Sequence, residues 1–133
     1  MNTRPLLLVS LLLPLAACGQ PAEPAPTTEE VAEQTGLATA DLERAKELYE
    51  SNNCWTCHGR DGVGAVGGPE LEGLAAHWTR EDLADFLKDP DAWVQKDERV
   101  AGLADQYPVK MVRPITPLAP NDRLRLADWL LTL

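Results

Sequence analysis

The chain has 133 residues, 44% hydrophobic and 25% charged, with 12 Lys and Arg against 21 Asp and Glu for a formal charge of −9. These proportions exclude a collagen-like, a fully disordered or a polytopic membrane protein, and the length suits one domain of ordinary size. The acidic balance argues against nucleic acid, where phosphate neutralisation needs clusters of Lys and Arg, and favours a basic face on any partner that charge steers in.

Arg4 precedes an apolar run from Leu6 to Leu15, broken by Ser10 and Pro14, that closes on Ala16-Ala17 before Cys18. At about 1.5 Å per residue this run reaches half of a ~30 Å hydrocarbon core, so residues 1–17 read as a signal peptide rather than a membrane span. Leu15-Ala16-Ala17-Cys18 resembles the lipobox of bacterial lipoproteins, which implies cleavage before Cys18 and acylation of that cysteine. Two or more acyl chains anchor stably where one holds only marginally. An ordinary secreted protein with an incidental cysteine is the competing reading. Residues 18–38 carry Pro21, Pro24 and Pro26 with Glu23, Glu29, Glu30 and Glu33 and hardly any large apolar side chain. They read as a disordered tether, because such a segment cannot bury enough surface to offset its ordering entropy. Cleavage leaves a mature chain of charge −10, of which −6 falls in residues 39–133.

From Thr39 the pattern turns helical. Leu42, Ala45, Leu48 and Tyr49 recur at three- and four-residue steps, with Thr39 as N-cap and a stop near Ser51-Asn52-Asn53. Six of the nine glycines then fall between Gly59 and Gly73, which suggests an irregular loop wrapped against something flat or bulky. Thr79-Arg80-Glu81-Asp82 opens a second helix as a capping-box pattern with Asp in the place of Glu, and Asp89-Pro90 breaks it. Pro90 begins a short helix through Trp93-Val94. An irregular stretch from Tyr107 to Pro120 holds four prolines around the single Met111, and Pro120 starts a terminal helix with Leu124, Leu126, Ala127, Trp129, Leu130 and Leu131 on its apolar face. No stretch alternates with period two, so residues 39–133 are predicted to form one all-α domain. Aromatics make up only 5% of the chain, so a cofactor is a candidate for filling its core.

Cys54-Trp55-Thr56-Cys57-His58 has the C-x-x-C-H spacing of c-type haem attachment. On a helical turn, positions i, i+3 and i+4 share a face, so both sulfurs and the imidazole can address one ligand. A thioredoxin-like dithiol competes, but it belongs beside a βαβ pattern that the sequence lacks. Structural zinc needs four ligands, and outside the anchor cysteine only His77 remains to complete the set. A plain disulfide would explain neither His58 nor the glycines. For a sixth iron ligand the methionines other than Met1 reduce to Met111; His77 and an open position compete with it, and Met111 as a core filler is the structural alternative.

These residues resemble class I cytochrome c. Ala45 and Tyr49 match the small and aromatic residues of that family's first helix, Gly68-Pro69 and Leu71 its glycine loop, and Leu126 and Trp129 the pair its last helix sets against the first. The resemblance implies N- and C-terminal helices packed across each other around one covalent haem c. It implies Cys54 and Cys57 as thioethers, His58 and Met111 as axial ligands, and the Pro69 carbonyl as acceptor from the His58 ring. Met111 departs from the family pattern in being followed by Val112 rather than Pro. Trp78, Trp93 and Tyr107 are candidate donors to a haem propionate.

The expected function is that of an electron carrier rather than an enzyme. It would be lipid-anchored at the periplasmic or extracytoplasmic face of a bacterial cell envelope and pass single electrons between redox partner proteins. The resemblance suggests a cytochrome bc-type complex as donor and a terminal oxidase as acceptor, and a periplasmic dehydrogenase suits the donor role equally. A haem enzyme or gas sensor with a displaceable sixth ligand is the alternative, and a fixed subunit of a larger oxidoreductase is a third.

Overall fold

The computed structural model describes residues 27–107 and 109–133; the expected signal peptide, Cys18 and the Pro-rich start of the tether lie outside the described residues. In chain order it contains α1 (Thr28–Thr35), α2 (Thr39–Ser51), α3 (Trp55–His58), α4 (Arg80–Lys88), α5 (Pro90–Lys96), α6 (Glu98–Ala104) and α7 (Pro120–Leu130), with 3-10 turns at Arg60–Gly62 and Leu74–Ala76. No strand occurs among the described residues beyond one isolated bridge between Ala65 and Gly68, as the all-α reading requires.

The core forms where α2 crosses α7 and where α4 packs on α7. Ala45 on α2 and Ala127 on α7 are completely buried, and their small side chains let the two backbones approach. Around them lie Leu42, Leu48, Tyr49, Leu126, Trp129 and Leu130, the periodic residues of both helices. Tyr49 and Trp129 stack edge to face, as the resemblance implies for the two ends of the domain. Three arginine–carboxylate pairs stitch the outside: Arg44 to Asp122 at 3.0 Å, Arg125 to Asp41, and Arg80 to Asp128 at 2.9 Å. Their arginines reach into solvent, so water and salt weaken each pair.

Three local features differ from the sequence reading. The stretch taken as disordered tether contains α1: the Thr27 side chain accepts from the Glu30 N–H while the Glu30 carboxylate accepts from the Thr27 N–H, and Gly36 closes the helix at φ 70°. Ala32 and Leu37 pack against the existing core, so the segment needs no core of its own. Thr39 is the first helical residue of α2 rather than its cap; Ala38 holds the cap position and makes no side-chain bond. Finally, α6 was not foreseen. Asp97 caps it by accepting from the Val100 N–H at 3.0 Å, and Gly102 within it obscured the periodicity. No helix among the described residues is long and apolar enough to cross a membrane.

Candidate haem site

After α2 the chain reverses at Asn52-Asn53, with Asn53 in the left-handed region at φ 58°, a conformation asparagine tolerates better than most residues. The N–H groups of Cys57 and His58 both donate to the Cys54 carbonyl, at 3.2 and 3.0 Å, so the two thiols and the imidazole stand on a single turn. Gly59 ends that turn at φ 75°, where a Cβ would lie 2.6 Å from the Gly64 carbonyl oxygen; only glycine passes. The Gly59 carbonyl accepts from the Tyr49 hydroxyl at 2.7 Å, which ties the turn to the α2–α7 core. Beyond it the Gly64 N–H donates to the His58 carbonyl and the Leu71 N–H to the Gly62 carbonyl, each at 2.7 Å, folding the glycine-rich loop back over the turn.

His58 Nδ1 lies 2.9 Å from the Pro69 carbonyl oxygen. A carbonyl only accepts, so Nδ1 carries the proton and the lone pair of the neutral ring is at Nε2. Burial pushes the imidazole below its ordinary pKa, against the opposing pull of the Pro69 bond, so the ring is a neutral ligand in mid-range pH. Burial pushes the Cys54 thiol up. Both cysteines of the turn are free.

Cys54, Cys57 and His58 border a cavity of about 910 Å³ whose lining also includes Met111, Trp78 and Tyr107. Met111 is half-buried and packs against the core. His77 also borders the cavity, but its side chain is exposed at the start of the turn before α4. Trp93 does not line it; its indole N–H donates to Asp85 at 3.1 Å, which removes Trp93 from the propionate donors. Trp78 and Tyr107 remain beside the cavity. Arg99, which the sequence reading passed over, borders it as well, its guanidinium 4.5 Å above the Trp78 ring. Nothing in the sequence marked Arg99, because it sits on the unforeseen α6.

The donor set fits a haem. Two free thiols and a neutral imidazole share one turn, a thioether faces the same cavity, and the volume lies in the upper part of the ~300–1,000 Å³ range of cofactor clefts. The rivals fit less well. No group of three or more His, Cys, Asp or Glu placed to hold a metal ion exists among the described residues, so structural zinc lacks its four-ligand set. A thioredoxin-like arrangement has no strands among the described residues to rest on.

The family model described as Cytochrome c matches residues 42–133. The chain belongs to the cytochrome c family. No curated protein and no solved structure gives a significant match to it. The matched region of this cytochrome c begins inside α2 and runs past α7, so it contains the buried residues of the helix crossing and the lining of the cavity. Membership assigns covalent haem c, electron transfer and redox partner proteins to the domain, and the Cys54/Cys57 pair carries the attachment spacing.

Proposed function

We propose that this cytochrome c is a lipid-anchored carrier of single electrons, with Cys54 and Cys57 as thioether anchors, His58 and Met111 as axial ligands, and the extracytoplasmic face of a bacterial membrane as its place of work. The observation that carries the reading is the meeting of His58, its Nε2 free of any competing proton, with Met111 on the walls of one cavity. When bound, haem supplies the one-electron couple. The chain's part is to hold that couple in a mostly apolar cavity. The Pro69 carbonyl orients the imidazole and raises its basicity. A neutral thioether from Met111 favours the ferrous state and raises the potential relative to a second imidazole. A closed sixth position suits a carrier, because it keeps small ligands off the metal.

Acylation of Cys18 would confine the domain near its partners and raise their effective concentration. Val63, Val109 and Val112 are exposed beside the cavity, an apolar rim suited to brief docking, while the acidic surface tunes the on-rate more than the affinity. A cytochrome bc-type complex or a periplasmic dehydrogenase as donor and a terminal oxidase as acceptor complete the proposal.

Carbon monoxide tests the closed site: the reduced protein at neutral pH binds it slowly or not at all if Met111 is the ligand, and rapid binding supports the gas-sensor or enzyme reading instead. The intact mass of the mature protein tests the anchor, with acyl chains on Cys18 expected and an unmodified Cys18 contradicting it.

A further inference from the structure

The loop that carries Met111 has no backbone framework of its own. Among the described residues, none from 109 to 118 makes a backbone-to-backbone hydrogen bond. Beside the packing of Met111 and Leu118 on the core, three side-chain hydrogen bonds among the described residues hold it. Arg123 donates to the Leu118 carbonyl at 2.7 Å and fixes only the end of the loop, next to α7. Arg113 reaches Asp89, the cap of α5, at 2.9 Å; this pair is exposed, with 60% and 38% of its side-chain surfaces open to water, and is correspondingly weak. The third is Asn52.

Asn52 is only 9% exposed, which sets it apart as a buried polar residue among the apolar core. Its Nδ2 donates to the Leu48 carbonyl at 2.9 Å, capping the last turn of α2 and fixing the plane of the amide. Its Oδ1 then accepts the Thr116 N–H at 3.2 Å, across 64 residues of chain. Asn52 stands two residues before Cys54, and it borders the same cavity as His58 and Met111. One amide therefore joins the turn bearing Cys54, Cys57 and His58 to the loop bearing Met111.

We propose that Asn52 is a positioning residue, a buried amide clasp that holds the Met111 loop closed against the Cys54–His58 turn and so keeps the sixth position occupied. The proposal rests on Met111 being that ligand. The chemistry of the residue suits the task. A loop rich in proline has few N–H groups to offer, and the Thr116 N–H, set between Ile115 and Pro117, is one of them. A buried amide whose donor and acceptor are both satisfied stabilises only the geometry that satisfies them, because leaving either unpaired costs a desolvation penalty.

The test uses the holoprotein and the near-isosteric Asn52→Leu, with Leu42→Ala as a variant that weakens the α2–α7 core without touching the cavity wall. Three readouts are followed: the rate of carbon monoxide binding to the reduced protein, the long-wavelength charge-transfer band of thioether-ligated ferric haem, and hydrogen exchange at the Thr116 amide. Asn52→Leu is expected to speed carbon monoxide binding and Thr116 exchange by about tenfold, the equivalent of ~1.4 kcal/mol and of one hydrogen bond, and to weaken the band. Leu42→Ala is expected to lower Tm while leaving all three near wild type. If Asn52→Leu does not fold, Thr116→Pro removes the N–H from the loop side and is expected to speed carbon monoxide binding and weaken the band in the same way. Unchanged carbon monoxide binding in either variant, or a Thr116 amide that exchanges freely in the wild type, overturns the clasp. A wild type lacking the thioether band overturns the Met111 reading instead, and Thr116 exchange tells the two failures apart because it follows Asn52 whichever ligand the iron takes.

Discussion

The rings of Tyr49 and Trp129 meet edge to face, their centroids 5.1 Å apart and their planes at 76°. Because the Tyr49 hydroxyl also donates to the Gly59 carbonyl, this contact couples the crossing of α2 and α7 to the turn that bears Cys54, Cys57 and His58. Trp129→Ala should cost about 3–5 kcal/mol, the usual loss for a buried large aromatic. Tyr49→Phe keeps the ring contact and loses one hydrogen bond, so about 0.5–1.5 kcal/mol is expected. Denaturant unfolding of the holoprotein measures both, and equal losses for the two variants would contradict the division of labour between ring and hydroxyl.

Two glycines should respond in opposite directions. A Cβ at Gly68 would lie 3.0 Å from the Cys57 carbonyl and 3.2 Å from the His58 ring, so Gly68→Ala presses on the imidazole and should destabilise by about 1–3 kcal/mol. Gly102 lies inside α6 and borders the cavity with no protein atom within 4 Å of its Cβ position, so Gly102→Ala adds one methyl to the cavity wall and should stabilise the helix by about 0.4–1 kcal/mol. Thermal unfolding of the pair separates close packing around the ring from mere helix propensity; a shift of the same sign in both would remove the distinction.

How much of this was legible in the sequence depended on whether the cause was local. The α2 and α7 faces were readable because Leu42, Ala45, Leu48 and Tyr49, and Leu126, Ala127, Trp129 and Leu130, repeat at helical spacing. The breaks at Asn52-Asn53 and Asp89-Pro90 were readable from cap chemistry. The C-x-x-C-H spacing put both thiols and the imidazole on one turn, and α3 has that turn. What stayed hidden was long-range. Helix α1 forms where composition argued for disorder, because its caps are local but its docking onto α2 is not. Asn52 looked like a helix stop and nothing more, since its partner Thr116 lies on the far side of the chain. The Trp93–Asp85 bond, though it spans only eight residues, depends on the angle at which α5 leaves α4, which no periodicity encodes.

Asp122 gives the acid limb of stability a defined origin. Its carboxylate accepts from Arg44 at 3.0 Å and from Arg125 at 3.3 Å, and the Arg44 bond is the larger cause of a pKa held below the ordinary 3.8. A depressed folded pKa means that the unfolded chain takes up its proton first as pH falls. The contribution is therefore present above pH 3.8 and is lost as pH drops through the folded value. Asp122→Asn should lower stability near neutrality, less so at high salt, and not at all relative to wild type at strongly acid pH. Unfolding curves across that range check it; a difference that persists undiminished in acid would contradict the assignment.

The central claim is that the Cys54–His58 turn carries haem through both sulfurs, and acid–acetone extraction of the purified protein followed by a pyridine haemochrome spectrum of the residue tests it most directly. The account predicts that the pigment stays with the polypeptide, with one haem per chain, and that Cys54→Ala combined with Cys57→Ala yields a protein from which the pigment extracts or in which it is absent. Pigment that leaves the wild-type chain in acidified solvent, or that stays bound after both cysteines are replaced, would contradict it.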